Sequence, residues 1–501
     1  MNWKDFINLR DDSDNVLETL TDSQIIENYG VYSNSINSNY KCTCFIAKDK
    51  TTKFLIVTKG EYLNRFDGET IKIDSGYIKK CPLTVSNSII IRESFSFTNP
   101  VSVSNNKISI GLGDRLGAAS AGHLRLIKGK NVFPVLAQQS IRELNLTGRT
   151  YEDVLSAAVW AVLQEGYKDG FGADGDHLKT SDEVNMALNC GFTMITLDCS
   201  EYINDDPAEL LSTRIGSAYS NQKYWEGKYL GKTFSIGTTD ISINENELAD
   251  TVKIYSAAID FAENIYNNII KTHNFSVDFE ISIDETLTPT NVKAHYIVAS
   301  EFYDRGVIIR NMAPRFCGEF QKGIDYRGDV DQFREELIVH DVIAKHFGYR
   351  LSIHSGSDKF SVFPIIGQVT KGSFHVKTAG TNWLEALRVI AIEDAELFRD
   401  MYRHSIKRLD DAKMFYHIFT EKSMVPNDEK YPDNQLVNLL DEEESRQALH
   451  ITYGYLLGDK DVNDRYLYRD RFFGILHKYE STYYKCLKYH ISRHLDMLGI
   501  Q

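Results

Sequence analysis

The 501 residues are 42% hydrophobic and 25% charged, with a formal net charge of −14. That balance excludes a disordered chain, and the acidic total argues against a surface built to neutralise phosphates, so nucleic acid is not an expected partner. The N-terminus Met1-Asn2-Trp3-Lys4-Asp5-Phe6 lacks a basic region followed by an apolar run, and no stretch approaches the roughly 20 apolar residues of a membrane span; a cytoplasmic protein with no membrane partner is expected.

At this length one large domain with additions, or two to three domains, is expected. Residues 1–105 carry short β-rich pieces such as Thr52-Lys-Phe-Leu-Ile-Val57 and Ser88-Ile-Ile-Ile91, separated by Asn, Ser, Asp and Gly, which predicts an N-terminal β-rich domain. The seven scattered cysteines form no disulfide framework, and Cys42-Thr-Cys44 is too closely spaced, with no second pair nearby, for a zinc site.

From about residue 106 apolar runs ending in polar residues alternate with stretches of helical periodicity. Strands are predicted over 108–114, 133–138, 172–178, 192–198, 275–282, 306–313, 350–355 and 373–379. Eight is the number that closes a parallel barrel. Helices are predicted over 151–167 behind a Thr150 cap, then 182–188, 247–272, 292–302, 330–347 and 383–392. Residues 200–245 interrupt the alternation and read as an insertion able to cover a substrate. The fold class is therefore α/β: a TIM-like (β/α)8 barrel over 106–395, with the β-rich addition before it and a helical, aromatic-rich addition over 396–501.

In such a barrel the polar residues at strand ends face the cleft. Those ends supply Asp114 and Arg115, Gln138 and Gln139, Asp174, Asp176 and His177, Asp198, Glu280, Arg315, His354 with Asp358 and Lys359, and His375 with Lys377. The sharpest element is Gly170-Phe-Gly-Ala-Asp-Gly-Asp-His177, where glycines let the backbone approach a ligand beside two acids and an imidazole. His354 ends an apolar run and enters Ser355-Gly-Ser-Asp-Lys359, a polar loop that suits a metal ligand followed by a helix cap. Asp278 and Glu280 fall on one side of their strand, inward. Glu319, after the sixth strand, is a further candidate for the cleft. His340 and His346 sit on a helical face and read as structural. Gly111-Leu-Gly-Asp-Arg-Leu-Gly117 imitates a dinucleotide loop, but its spacing is one residue too long and the next strand ends in Gln138-Gln139 rather than an acid. Its glycines instead permit a turn that aims Asp114 and Arg115 at the substrate.

These residues resemble the tagaturonate epimerase family of bacterial hexuronate breakdown. The resemblance rests on Gly111-Leu-Gly-Asp-Arg-Leu-Gly117, Pro134-Val-Leu-Ala-Gln-Gln-Ser-Ile-Arg-Glu143, Gln164-Glu-Gly-Tyr167, Gly170 to Thr180, Ala313-Pro-Arg-Phe316, Lys322-Gly-Ile-Asp-Tyr326 and His354 to Ser361. It covers most of the proposed barrel and little of either end. It implies a divalent metal, whether zinc, nickel, cobalt or manganese, on His177, Glu319 and His354, with Asp176 as proton acceptor and Glu280 as proton donor. Substrate contacts are expected from Asp114, Arg115, Gln139, Asp174, Arg315, Asp358, Lys359 and Lys377, with Arg315, Lys359 and Lys377 as candidates for the substrate carboxylate.

Tagaturonate and fructuronate differ at a carbon β to both the ketone and the carboxylate, whose proton is not acidic. Retro-aldol cleavage to an enediolate and an aldehyde, rotation and re-addition invert that centre without removing it. Two other readings share the motifs: a metal-dependent aldolase or isomerase on a related sugar, and a non-catalytic carbohydrate-binding barrel. A small sugar acid is the expected partner, and the sequence leaves room for a homo-oligomer.

Overall fold

In a computed structural model of the chain, which describes residues 2–11, 20–50, 52–73, 76–103, 108–205, 221–378 and 380–501, eight parallel strands close into a barrel. In chain order they are β1 (Ile108–Gly111), β2 (Phe133–Gln139), β3 (Gly172–Leu178), β4 (Met194–Asp198), β5 (Asp278–Ile283), β6 (Asn311–Pro314), β7 (Arg350–Ile353) and β8 (Phe374–Lys377). β8 closes on β1 with Lys377 opposite Gly111, and β4 lies against β5 with Thr196 opposite Glu280. Every expected barrel strand is present. Strands buried on both faces read as continuous apolar runs, which makes them legible without a partner.

Helices follow the strands, and their starts are set by local chemistry. Ser140 with Glu143, Thr150 with Asp153 and Thr180 with Glu183 form reciprocal capping boxes at Ile141–Thr147, Tyr151–Glu165 and Ser181–Cys190, each satisfying N–H groups that the first turn leaves free. The Ser355–Lys359 loop does not cap a helix as expected. The next helix, Phe363–Thr370, begins later and has no side-chain cap.

Before the barrel, five antiparallel strands (Asn37–Ser38, Thr43–Lys48, Lys53–Lys59, Gly76–Pro82 and Glu69–Ile73 in spatial order) form a sheet. Its two faces follow the period of two: Phe45, Ala47, Phe54 and Ile56 pack on Trp3, Phe6 and Ile25, whereas Cys44, Ile46, Leu55 and Val57 join the main core. Ser88–Ile91, expected as a strand, lies within the helix Val85–Ser94, whose Thr84 cap accepts the Asn87 N–H. The cap and burial of Ile90 and Ile91 outweigh the β-preference of three isoleucines.

Of the expected insertion, residues 206–220 lie outside the described residues. Around them stand the helix Gln222–Tyr229 and the hairpin Thr233–Ile236 with Thr239–Ser242. After β8 the chain is helical, ending in Glu480–Met497. Among the described residues no helix is long and apolar enough to cross a membrane.

Candidate active site

At the carboxyl ends of the strands lies a cavity of about 510 Å³, within the size range of small-molecule sites. At one pole, Lys377, the last residue of β8, reaches three carboxylates. Its Nζ lies 2.9 Å from Asp174 Oδ2, 2.5 Å from Asp176 Oδ1 and 3.1 Å from Glu280 Oε1, and it donates to Thr196 Oγ1 at 2.5 Å. One ammonium among three buried acids splits their behaviour. Burial, with Asp176 and Glu280 adding to it and Lys377 opposing, pushes Asp174 up to about 6. Burial acts on Asp176 in the same direction, but Lys377, His177 and His354 hold it well below the usual carboxylate range.

A bulge in β3 between Gly175 and Leu178 breaks the alternation of that strand, and His177 adopts a left-handed backbone, φ 53°. That is how two consecutive residues, Asp176 and His177, both reach the cavity. The His177 ring meets the His354 ring edge to face, with centroids 4.9 Å apart. Carboxylates surround the pair: Asp198 Oδ2 lies 3.6 Å and Glu285 Oε1 4.0 Å from His177 Nδ1, and Asp284 Oδ2 lies 3.1 Å from His354 Nδ1. Both Nδ1 atoms are buried without a well-formed hydrogen bond. Burial disfavours a charged His177, yet Asp176, Asp198 and Glu285 carry it up to about 10.

Glu280 and Glu319 take different places around the cavity. Glu280 does not line the cavity. Its carboxylate lies beneath, accepting from Asn311 Nδ2 at 2.9 Å and lying 2.7 Å from His354 Nε2. Burial opposes its charge, but Lys377 and His354 keep it well below the usual range. Glu319 does line the cavity but is 43% exposed, 3.8 Å from Arg315. At this cavity His177, Asp198 and Glu285 offer ligand atoms that all lie within 4.8 Å of one another.

Of the expected substrate contacts, Arg115, Arg315 and Lys377 line the cavity and Asp174 lies directly beneath on Lys377. Four others turn away. Asp114 folds back to accept the N–H groups of Leu116, Gly117, Ala119 and Ser120. Gln139 accepts from Arg149, while its neighbour Gln138 takes the inward register; a Cβ at Gly111 would lie 2.2 Å from Gln138 Oε1, so that glycine makes room for it. Asp358 pairs with Arg446 at 2.7 Å, and its N–H donates to His494 Nε2 at 3.0 Å. Lys359 donates to the carbonyls of Gln321, Ile324 and Ser357 at 2.6–2.9 Å, and burial draws it down to about 7.

A basic wall of the cavity sets Arg115, which strand-end reasoning found, beside residues that it misses. Arg115 pairs with Glu143 and lies 4.2 Å from the Tyr453 ring centroid. Arg142, Lys322 and His450 also line this side. Glu143 had a local signal, as the third residue of a capping box; His450, far away in the chain, had none.

A family model described as tagaturonate epimerase matches residues 32–498. The chain belongs to the tagaturonate epimerase family. Within it, the chain is 38% identical over 482 residues to the tagaturonate/fructuronate epimerase of Thermotoga maritima, covering 94% of this chain and 97% of that protein. Crystal structures of fructuronate-tagaturonate epimerase UxaE from Cohnella laeviribosi, one native and one with a glycerol, share the fold at a TM-score of 0.91 and 44% identity, over 96% of this chain and 99% of theirs. The family match extends beyond the barrel on both sides, taking in the N-terminal sheet and nearly all the C-terminal helices.

Proposed function

We propose that this chain is a divalent-metal-dependent epimerase interconverting D-tagaturonate and D-fructuronate by retro-aldol cleavage and re-addition. The observation that carries the reading is the facing pair of imidazoles, set among the carboxylates of Asp198, Asp284 and Glu285 beside the Lys377–Asp176 pair on the scaffold of this family. Two facing imidazoles amid the carboxylates of Asp198, Asp284 and Glu285 offer the mixed nitrogen and oxygen donors that a divalent cation takes, so the residues fit a metal. His177 and His354 would hold it with carboxylates from Asp198, Asp284 or Glu285, a mixed donor set suited to zinc, nickel, cobalt or manganese. When bound, the ion supplies Lewis acidity at the substrate ketone.

The chain's own residues do the rest. Asp176, kept ionised by Lys377, accepts the proton of the hydroxyl on the carbon to be inverted. As the C–O⁻ becomes C=O, the bond to the carbon beside the ketone breaks, leaving an aldehyde and an enediolate. The aldehyde turns over within the cavity, the same C–C bond re-forms on its other face, and the new alkoxide takes back the proton that Asp176 accepted, which restores the carboxylate. Glu280 meanwhile fixes the His354 ring.

The test is to incubate the purified protein with D-tagaturonate and each metal and to follow D-fructuronate by NMR. Appearance of fructuronate that stops on chelation and returns on metal addition supports the reading. Full activity after exhaustive demetallation sinks the metal, and no fructuronate with any metal sinks the function. Net release of aldehyde and ketone fragments would mark an aldolase instead.

A further inference from the structure

The cavity also has a basic pole. Lys322, half-buried in the loop after β6, donates to Ser355 Oγ at 2.8 Å, and among the described residues no carboxylate pairs with it. Ser355 directly follows His354, so the ammonium sits close to the imidazole pole. Arg142 stands on the same wall with its guanidinium 4.7 Å from the Tyr416 ring centroid, bonded to the Phe415 carbonyl rather than to an acid. His450 completes the pole. Only 1% exposed, its ring presses on Gly380, its Nδ1 would lie 3.5 Å from a Cβ at Gly323, and neither ring nitrogen has a hydrogen-bond partner.

Unmatched cations and an unbonded buried imidazole on one wall call for an anion. Burial, then Arg115 and Arg142, draw the Lys322 ammonium below its ordinary value, and burial with Arg115 and Lys322 keeps His450 neutral. A bound anion would relieve both. Of the other cations, Lys377 engages three acids and Lys359 three carbonyls, Arg115 pairs with Glu143 while its Nη1 has no partner, and Arg315 lies 3.8 Å from Glu319.

We propose that Lys322, flanked by Arg142 and His450, is the subsite for the carboxylate of a uronate substrate, and so the determinant of sugar acid over neutral ketose. This rests on the epimerase reading above. A hexuronate with its ketone at the imidazoles fills the same cavity that Lys322, Arg142 and His450 line, so its carboxylate has these groups within the cavity to meet.

The experiment compares D-tagaturonate with D-tagatose, which carries a neutral CH₂OH in place of the carboxylate, on wild type, Lys322→Met and Lys322→Arg. The expected result for Lys322→Met is a fall of about 10- to 100-fold in the ratio of kcat/KM for tagaturonate to that for tagatose, expressed mainly in KM, with Lys322→Arg recovering much of it. Where tagatose is not turned over, its inhibition constant replaces its kcat/KM. A parallel loss on both sugars in Lys322→Met, or an unchanged ratio, overturns the subsite and leaves the epimerase standing. Inactivity of wild type on tagaturonate overturns both.

Discussion

At the residue scale, the proposed metal would have to displace one proton from His177. The folded pKa of about 10 lies above the ordinary 6.5. In the metal-free protein the stability contributed by the charged imidazole is therefore full below pH 6.5 and lost as pH rises toward 10. A metal needs the lone pair, so binding expels that proton. Affinity measured calorimetrically should climb about tenfold per pH unit for each proton displaced between pH 6.5 and 9. A flat profile would mean that His177 is not a ligand. Lys377 makes the complementary case. Replacing it with Met leaves Asp174, Asp176 and Glu280 without their shared cation, which should cost about 3–5 kcal/mol in urea unfolding of the metal-free protein; a change below about 1 kcal/mol would show that the cluster rearranges around the loss.

At the element scale, the last helix, Glu480–Met497, braces the loop that follows His354. His494 Nε2 accepts the Asp358 N–H, His490 bonds Thr381 Oγ1 at 2.8 Å, and Tyr483 donates to the Asn382 carbonyl at 3.1 Å. Asp358, His490 and His494 are spaced like metal ligands, but their atoms are engaged in these bonds and in the Arg446 pair, which makes them a strut. Arg446→Ala, which leaves the Asp358 carboxylate buried without its partner, should destabilise by about 3–5 kcal/mol in denaturant melts. Asp358 has a left-handed backbone, φ 61°, so this brace also holds a conformation the loop would not choose alone. The expected helix cap at Ser355 fails for the same reason: the loop is shaped by a helix more than a hundred residues away, not by its own start signal.

At the scale of the whole molecule, one hydrophobic cluster runs from Tyr32 and Cys44 through the barrel to Leu495 and Ile500. Calorimetry should therefore show a single cooperative transition, with matching calorimetric and van't Hoff enthalpies; two resolved transitions would assign an addition its own folding unit. Deleting residues 396–501 should yield insoluble or inactive protein, because Tyr416 and His450 line the cavity and Trp383 donates to the Leu449 carbonyl.

Local order in the sequence was enough for the eight strands, most helices and the family, because buried parallel strands and capping boxes carry their signals within a few residues. It was also enough for the acid–imidazole cluster of Asp174, Asp176, His177, His354 and Lys377, since strand ends of a barrel converge by construction. Only the tertiary structure decided which neighbour faces inward, Gln138 rather than Gln139, and that Glu280 lies behind His354, because a single step of register or one bulge reverses a side chain. It alone brought Lys322 and His450 together, since their meeting depends on a C-terminal helix more than a hundred residues away packing over the cavity.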